Sequence, residues 1–357
     1  MSRLSVLLRP LAWLYGLATA LRNRAFDCGL LRSRRFPLPV IGVGNLAVGG
    51  TGKTPHAEYL LRLLAPHCAT ALLSRGYGRR TRGYVRAAAG MTATDIGDEP
   101  LQVARKFPAV TVAVSADRCK GLDRLLSDNR PPDVVVLDDA YQHRYVHAGL
   151  YILLTDYSRL YTDDRLLPEG RLRESASGAR RARIILVTKC PPSLSPEAQA
   201  DVRRRLGPAP GQSVFFTAFS YGRPYSLFAG GGRNGADSEL AGREVLVVTG
   251  IAHPESLYRH VEAAGGHVTA LRFADHHAFT AADAARLNAV FASLPPGSRI
   301  VTTEKDAARL PACADSLSAS VREALLVQPV DVVFLNHGEQ DFNHIITHYV
   351  ATHKRNG

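Results

Sequence analysis

Lys53 and Thr54 close a glycine-rich run, Val48-Gly-Gly-Thr-Gly-Lys-Thr54, which follows the apolar segment Pro39–Val43. Strand, glycine loop and helix in that order form the phosphate-binding P-loop. Glycine lets backbone N–H groups turn inward around a polyphosphate, and the helix that follows presents its positive end to it. Lys53 would reach the β- and γ-phosphates, and the Thr54 hydroxyl would sit on Mg²⁺. The strict pattern is broken only at its first position, where Ala47 stands in place of glycine. A second apolar run, Val134–Leu137, ends in Asp138 and Asp139. Paired carboxylates at a strand end suit Mg²⁺, bound directly or through water. Together the two segments predict a protein that binds a nucleoside triphosphate.

Three further clusters could carry chemistry. Gly97-Asp98-Glu99-Pro100 begins a helix, and Asp98 suits either a cap or a general base. In Asp275-His276-His277 a histidine beside a carboxylate could orient it or share its proton, and the adjacent histidines could ligate a metal. The cationic segments Ser74-Arg75-Gly76-Tyr77-Gly78-Arg79, Gln142-His143-Arg144 and Gly170-Arg171-Leu172-Arg173-Glu174 offer guanidinium forks for phosphate oxygens. Placed after strand ends, they would line the crevice where a doubly wound sheet binds its ligands.

The elements that must position these residues alternate in the βαβ manner. Ala69–Leu73, Val110–Val114, Val134–Leu137, Leu150–Leu154 and Ile184–Val187 read as buried strands of a parallel sheet, with helices at His56–Leu64 and Pro100–Lys106 between them. A second rhythm runs through Val245–Thr249, a helix near Pro254–Ala264, Val268–Phe273, a helix near Ala281–Ser293 and Ile300–Thr303. The expected fold class is α/β. Two α/β/α domains are predicted: a P-loop doubly wound domain over 25–220, then a smaller one over 244–357. The glycine-rich segment 221–243 (Gly230, Gly231, Gly232, Gly235) joins them as a linker. Asp341–Gly357 fits either domain.

The 357 residues exceed one typical core, and 46% hydrophobic with 21% charged residues is a globular composition. A net charge of +12 points to an anionic partner: nucleic acid, acidic lipid or a phosphorylated metabolite. Five widely spaced cysteines without a Cys-x-x-Cys pair argue against structural zinc and a disulfide framework. Residues 1–24 read as a separate helix. Leu4, Leu7, Leu11, Leu14, Leu17 and Leu21 fall on one broad face, with Trp13, Tyr15 and flanking Arg3, Arg9, Arg22 and Arg24. The charge-free stretch Pro10–Leu21 is too short to span a bilayer, so docking at an anionic membrane interface is expected.

In this order the motifs resemble those of the lipid A 4′-kinases (tetraacyldisaccharide 4′-kinases) along essentially the full chain. The likeness rests on Val43–Pro55, Ser74–Gly78, Gly97–Pro100, Asp138-Asp-Ala-Tyr-Gln-His-Arg144, Leu166–Glu174, Asp275–His277 and Thr303-Glu-Lys-Asp-Ala-Ala-Arg-Leu310. That family commonly has Gly-Phe where Ala140 and Tyr141 stand. The resemblance implies transfer of the ATP γ-phosphoryl group to the 4′-hydroxyl of a tetraacylated, phosphorylated glucosamine disaccharide, at the cytoplasmic face of the inner membrane. ATP and Mg²⁺ are the implied co-substrate and metal, and the partners are the acylated disaccharide phosphate and the membrane surface.

By the same carry-over, Asp98 would be the base and His276 its orienting partner across the domain cleft. Asn45, Val48, Gly49, Gly50, Thr51, Gly52, Lys53 and Thr54 would hold nucleotide. Thr54, Asp138, Asp139 and Glu174 would serve the metal. Arg75, Glu99, Gln142, His143, Arg144 and Arg173 would contact phosphate or substrate.

Two competing classes fit less well. A P-loop NTPase switch or chaperone, without a phosphorylated product, would usually carry Asn/Thr-Lys-x-Asp if specific for guanine. Thr188-Lys189-Cys190-Pro191 lacks the aspartate, and Thr303-Glu304-Lys305-Asp306 has the wrong order. A nucleic-acid-dependent ATPase would show aromatics interleaved in a basic groove, and no such motif is present. No nucleic acid and no obligate protein partner are expected.

Overall fold

The computed structural model describes residues 3–228 and 239–354. The strands are β1 Val40–Asn45, β2 Thr70–Ser74, β3 Val85–Arg86, β4 Thr111–Val114, β5 Val134–Leu137, β6 Leu150–Asp156, β7 Ile184–Thr188, β8 Ser213–Tyr221, β9 Tyr225–Ser226, β10 Glu244–Thr249, β11 His267–Arg272, β12 Arg299–Thr303, β13 Leu325–Gln328 and β14 Val330–Phe334. The α-helices are α1 Arg3–Asp27, α2 Lys53–Leu64, α3 Ala93–Ile96, α4 Asp98–Lys106, α5 Arg118–Leu126, α6 Pro196–Leu206, α7 Glu255–Ala263, α8 Ala281–Ala292, α9 Glu304–Ala307, α10 Ala319–Ala324 and α11 Gly338–Lys354.

Two sheets organise the chain. The larger has nine strands in the order β14-β8-β7-β6-β1-β5-β2-β4-β3, with antiparallel pairs only at its two ends. Its central strands are continuous runs of Val, Ile and Leu because both faces are covered. Helices α2, α4 and α11 contribute to one core, in which Ile41, Leu60, Val103, Val112, Phe342 and Ile346 meet. On the opposite face α5 and α6 cover Leu73, Val135, Ile185 and Phe216. The smaller sheet, β11-β10-β12-β13-β9, is parallel except for the edge pair β13–β9. It packs α8 and α10 on one face and α7 on the other. The predicted three-layer α/β/α character holds for both.

The sheets divide the chain differently from the expected boundaries. β14 pairs with β8, so residues 330–354 return to the larger sheet and do not stay with a unit ending at 357. The Tyr349 hydroxyl seals that return, lying 3.2 Å from Val40 N and 3.1 Å from Val40 O. Within the expected linker, Tyr225 and Ser226 form an edge strand against Val327 and Leu326. Its glycines at 230, 231, 232 and 235 lie outside the described residues.

Helix α1 docks by its polar face on the segments that follow β5 and β6. Tyr15 donates to Arg173 O at 2.7 Å, Asn23 to Glu174 at 2.7 Å, and Arg22 to Gln142 O at 2.7 Å. Ala12 and Phe26 are buried, whereas Leu11, Trp13, Leu14, Leu17 and Leu21 are exposed. The helix thus packs on the protein by one face and leaves the other, apolar face exposed. Among the described residues no helix is long and apolar enough to cross a membrane.

Candidate active site

β1 runs buried to Asn45 and then turns into the glycine loop. Asn45 Nδ2 donates to Thr51 Oγ1 at 2.9 Å, and Val48 N donates to Arg171 O at 2.7 Å, tying the loop at both ends. Gly52, at φ 84°, ends the loop in the left-handed region, and a Cβ there would meet the Phe219 ring at 2.8 Å. Only glycine satisfies both conditions. Helix α2 starts at the next residue, so Lys53 and Thr54 open its first turn. Lys53 Nζ lies 3.4 Å from Asn45 Oδ1 and 3.5 Å from Asp139 Oδ1. One turn on, buried His56 places Nδ1 2.8 Å from Gly52 O and Nε2 2.9 Å from Thr217 Oγ1. Burial, which outweighs the bond to Gly52, lowers its pKa to about 4.

The carboxylate pair ends β5, the strand beside β1. Asp138 is buried, and its Oδ2 accepts from Ser74 Oγ at 3.3 Å. Its Oδ1 is buried without a partner. Burial, then the charges of Glu99 and Asp139, push its pKa up to about 7. Asp139, at φ 46°, turns the other way toward Lys53 and Arg173, the latter 3.3 Å away. Burial raises its pKa, but these two cations more than offset that and hold it below the ordinary carboxylate range. An orphaned carboxylate oxygen beside an ionised carboxylate is a donor set that fits a divalent cation.

Several predicted contact residues are committed elsewhere. Glu174 accepts from Arg181 through both oxygens, at 2.8 and 2.9 Å, and also from Gln142 and Asn23. Its acceptor positions are filled within the protein, so it ties α1 to the loop and is not poised on a metal. Arg144 donates to Asn23 O and Asp27 and covers the Phe26 ring, so it anchors α1. Gln142 spends its amide on Asn45 O and Glu174, and its Oε1 accepts from Arg173. His143 places a ring nitrogen within 4.8 Å of the Asp117 and Cys119 ligand atoms, and burial drops its pKa to about 4. Arg75 stays exposed and Glu99 is half-buried. Arg173 faces Asp139.

Sequence reasoning missed Arg118. It is buried, donates to Asp138 O at 3.4 Å, and leaves Nε without a partner. Burial drops its pKa to about 10 against the pull of Asp138 and Asp139. Its position just after the parallel strand β4 was the available signal.

The predicted dyad is formed. Asp98 opens α4, and its Oδ2 lies 2.9 Å from His276 Nδ1, although β10 and β11 hold His276 on the other sheet. Burial pushes Asp98 up, but the hydrogen bond from His276 together with the charges of Lys305 and Arg309 outweighs it, leaving the carboxyl below its usual range. Lys305 Nζ sits 2.9 Å from His276 Nε2, and Arg309 Nη1 lies 3.8 Å from Asp98 Oδ2. Neither had been given a role from sequence, although both stand in Thr303–Leu310. His277 turns instead to Asp283 at 2.9 Å, so the adjacent histidines do not form a shared metal site.

The same interface holds a buried ionic triad. Lys106 of α4 reaches Glu58 of α2 at 2.7 Å and Glu304 of α9 at 2.8 Å. Chemically, the arrangement offers a polyphosphate cradle, a metal-competent carboxylate pair and a carboxylate held by a histidine.

The chain is similar to tetraacyldisaccharide 4′-kinases. The chain is 46% identical over 355 residues to a tetraacyldisaccharide 4′-kinase of Bacteroides fragilis (strain YCH46), covering 98% of this chain and 94% of that one. It is 45% identical to the enzyme of the same name from Flavobacterium johnsoniae, covering 98% of each. A crystal structure of LpxK from Aquifex aeolicus in complex with ATP superposes with a TM-score of 0.73 at 28% identity, covering 97% of this chain and 99% of that one. The sequence profile of the tetraacyldisaccharide-1-P 4′-kinases matches residues 4–351, so the chain belongs to the tetraacyldisaccharide 4′-kinase family.

Proposed function

We propose that this protein transfers the γ-phosphoryl group of ATP to the 4′-hydroxyl of a tetraacyldisaccharide 1-phosphate, with Asp98 as the base. The observation that carries this assignment of roles is the 2.9 Å contact of Asp98 with His276 at the rim that also holds the P-loop. Glu99, next to Asp98, is near enough to Asp138 to raise its pKa, which puts the base and the carboxylate pair in one electrostatic neighbourhood.

The loop from Val48 to Gly52 supplies N–H donors, and Lys53 draws the β- and γ-oxygens into line. Thr54, Asp138 and Asp139 would hold Mg²⁺, which when bound neutralises the charge developing on the phosphates. Arg118 and Arg173 complete the cationic wall, with Arg75 free to contact substrate phosphate. Asp98 takes the proton of the attacking hydroxyl, and His276 holds its carboxylate in place. Closing Asp98 and His276 together excludes water and limits ATP hydrolysis.

The exposed face of Trp13, Leu14, Leu17 and Leu21 gives an acylated substrate a route from the bilayer. This face supports peripheral docking, drawn by anionic lipid, which the lipid substrate would place at the cytoplasmic face of the inner membrane.

The test is transfer of labelled γ-phosphate from ATP to tetraacyldisaccharide 1-phosphate in detergent micelles. A labelled lipid product that falls by about 100-fold or more in Asp98→Ala supports the assignment. ATP hydrolysis without lipid product would favour the NTPase switch.

A further inference from the structure

His276 has two ring nitrogens and two partners, and the partners fix where its proton sits. Nε2 lies 2.9 Å from Lys305 Nζ. An ammonium group only donates, so Nε2 accepts and is bare. Nδ1 lies 2.9 Å from Asp98 Oδ2, and a carboxylate only accepts, so Nδ1 carries the hydrogen. The ring is therefore neutral and in the Nδ1–H tautomer.

Its surroundings hold it there. Asp275 bonds Lys305 at 3.3 Å and keeps the ammonium in place. The Tyr77 ring meets the imidazole edge-on at 5.4 Å, and the His276 backbone is left-handed at φ 58°. The charged and titratable groups facing the imidazole are Asp98 from α4, with Arg309 behind it; Lys305 from α9; Asp275 from its own loop; and Tyr77 from the loop after β2.

We propose that Lys305 is a positioning residue, which keeps His276 neutral and in one tautomer so that Asp98 is oriented by a neutral donor. The inference rests on Asp98 being the base. With Oδ2 occupied by His276, the other oxygen, Oδ1, makes no hydrogen bond among the described residues and is the one left to accept. In the transfer step the 4′-oxygen–phosphorus bond forms and the bond from γ-phosphorus to the bridging oxygen breaks. The hydroxyl proton passes to Asp98 and ADP leaves with the electron pair. Without Lys305, Nε2 could take a second proton. An imidazolium bonded to Asp98 would then stabilise the carboxylate and weaken it as a base.

The first measurement needs no variant in the kinetic role: nitrogen NMR of full-length protein labelled in its histidine rings, with His276 identified by the signal lost in His276→Gln. A protonated Nδ1 and bare Nε2 from pH 6 to 8 is the expected result. A protonated Nε2, or an imidazolium at pH 7, overturns the proposal.

The second measurement is kcat for lipid phosphorylation against pH. With the Lys305 ammonium gone, Nε2 is open to a proton as the pH falls, so kcat of Lys305→Met should drop by a few fold between pH 8 and 6. Wild type and Lys305→Arg, which retains a donor-only cation, should stay flat, with KM for ATP unchanged in all three. A Lys305→Met profile parallel to wild type overturns the proposal. Asp98→Asn in the same assay separates the two readings. Full transfer there removes the base, and the NMR result still decides the tautomer.

Discussion

His56 links the glycine loop to β8, and its burial has a cost that depends on pH. An unfolded chain titrates histidine at about 6.5, whereas burial holds His56 down to about 4. Between those values the unfolded chain binds a proton that the folded one refuses. Stability is therefore full above about pH 6.5 and falls as pH drops toward 4. The shift corresponds to about 3 kcal/mol, and His143, depressed in the same way, adds to the trend. In urea unfolding, His56→Gln should be less stable than wild type at pH 7.5, with the gap narrowing by pH 4.5. A constant gap would count against this origin.

At this scale the glycine loop, the carboxylate pair and the Asp98–His276 dyad were legible because each is a short pattern that only a few geometries satisfy. The protein partners of Glu174, Arg144 and Gln142 were not legible, because a charged or polar loop residue carries no local mark of its partner. Asn23 and Asp27, which bind Glu174 and Arg144, lie more than a hundred residues away, and Gln142 is held by Asn45 O and Glu174.

Helix α1 is a separate test, since Trp13 is the single tryptophan in the chain and is 71% exposed. Intrinsic emission therefore reports this one face. It should shift to the blue on adding anionic vesicles and respond less to neutral ones. Leu14→Ser combined with Leu17→Ser should weaken vesicle binding about 10-fold or more while leaving thermal stability nearly unchanged, because both side chains are exposed. Unaltered binding by that variant would remove this helix as the anchor.

Among the elements, most of the parallel strands were readable because double burial makes each a continuous apolar run. β8, β9, β13 and β14 were not. Val330–Phe334 is a half-buried edge strand, and nothing in its own residues names Tyr221 as its partner. Helix α11 followed β14 to the larger sheet for the same non-local reason.

For the molecule as a whole, the contacts between the two sheets concentrate in α4 and α9. Lys106 is buried between Glu58 and Glu304, so removing it leaves two carboxylates without their cation. Lys106→Met should destabilise the protein by about 3–5 kcal/mol, and Glu58→Gln in the same chain should recover part of that loss. Denaturant titration of both variants checks it, and equal stability of the single variant and wild type would show the triad to be dispensable. Phe342→Ala, which empties a core position shared by α11 and β8, should cost about 3–5 kcal/mol although it lies near the C-terminus.

The pairing of β8 with β14 also dictates when folding can finish. Tyr221 meets Val330, so the larger sheet gains its last strand only after the whole smaller sheet has been made. A ribosome adding roughly 5–20 residues per second leaves that edge, and the core waiting for Phe342 and Ile346, uncovered for several seconds. During that interval the nascent chain exposes an unpaired strand edge beside apolar surface, the condition under which chaperones are recruited.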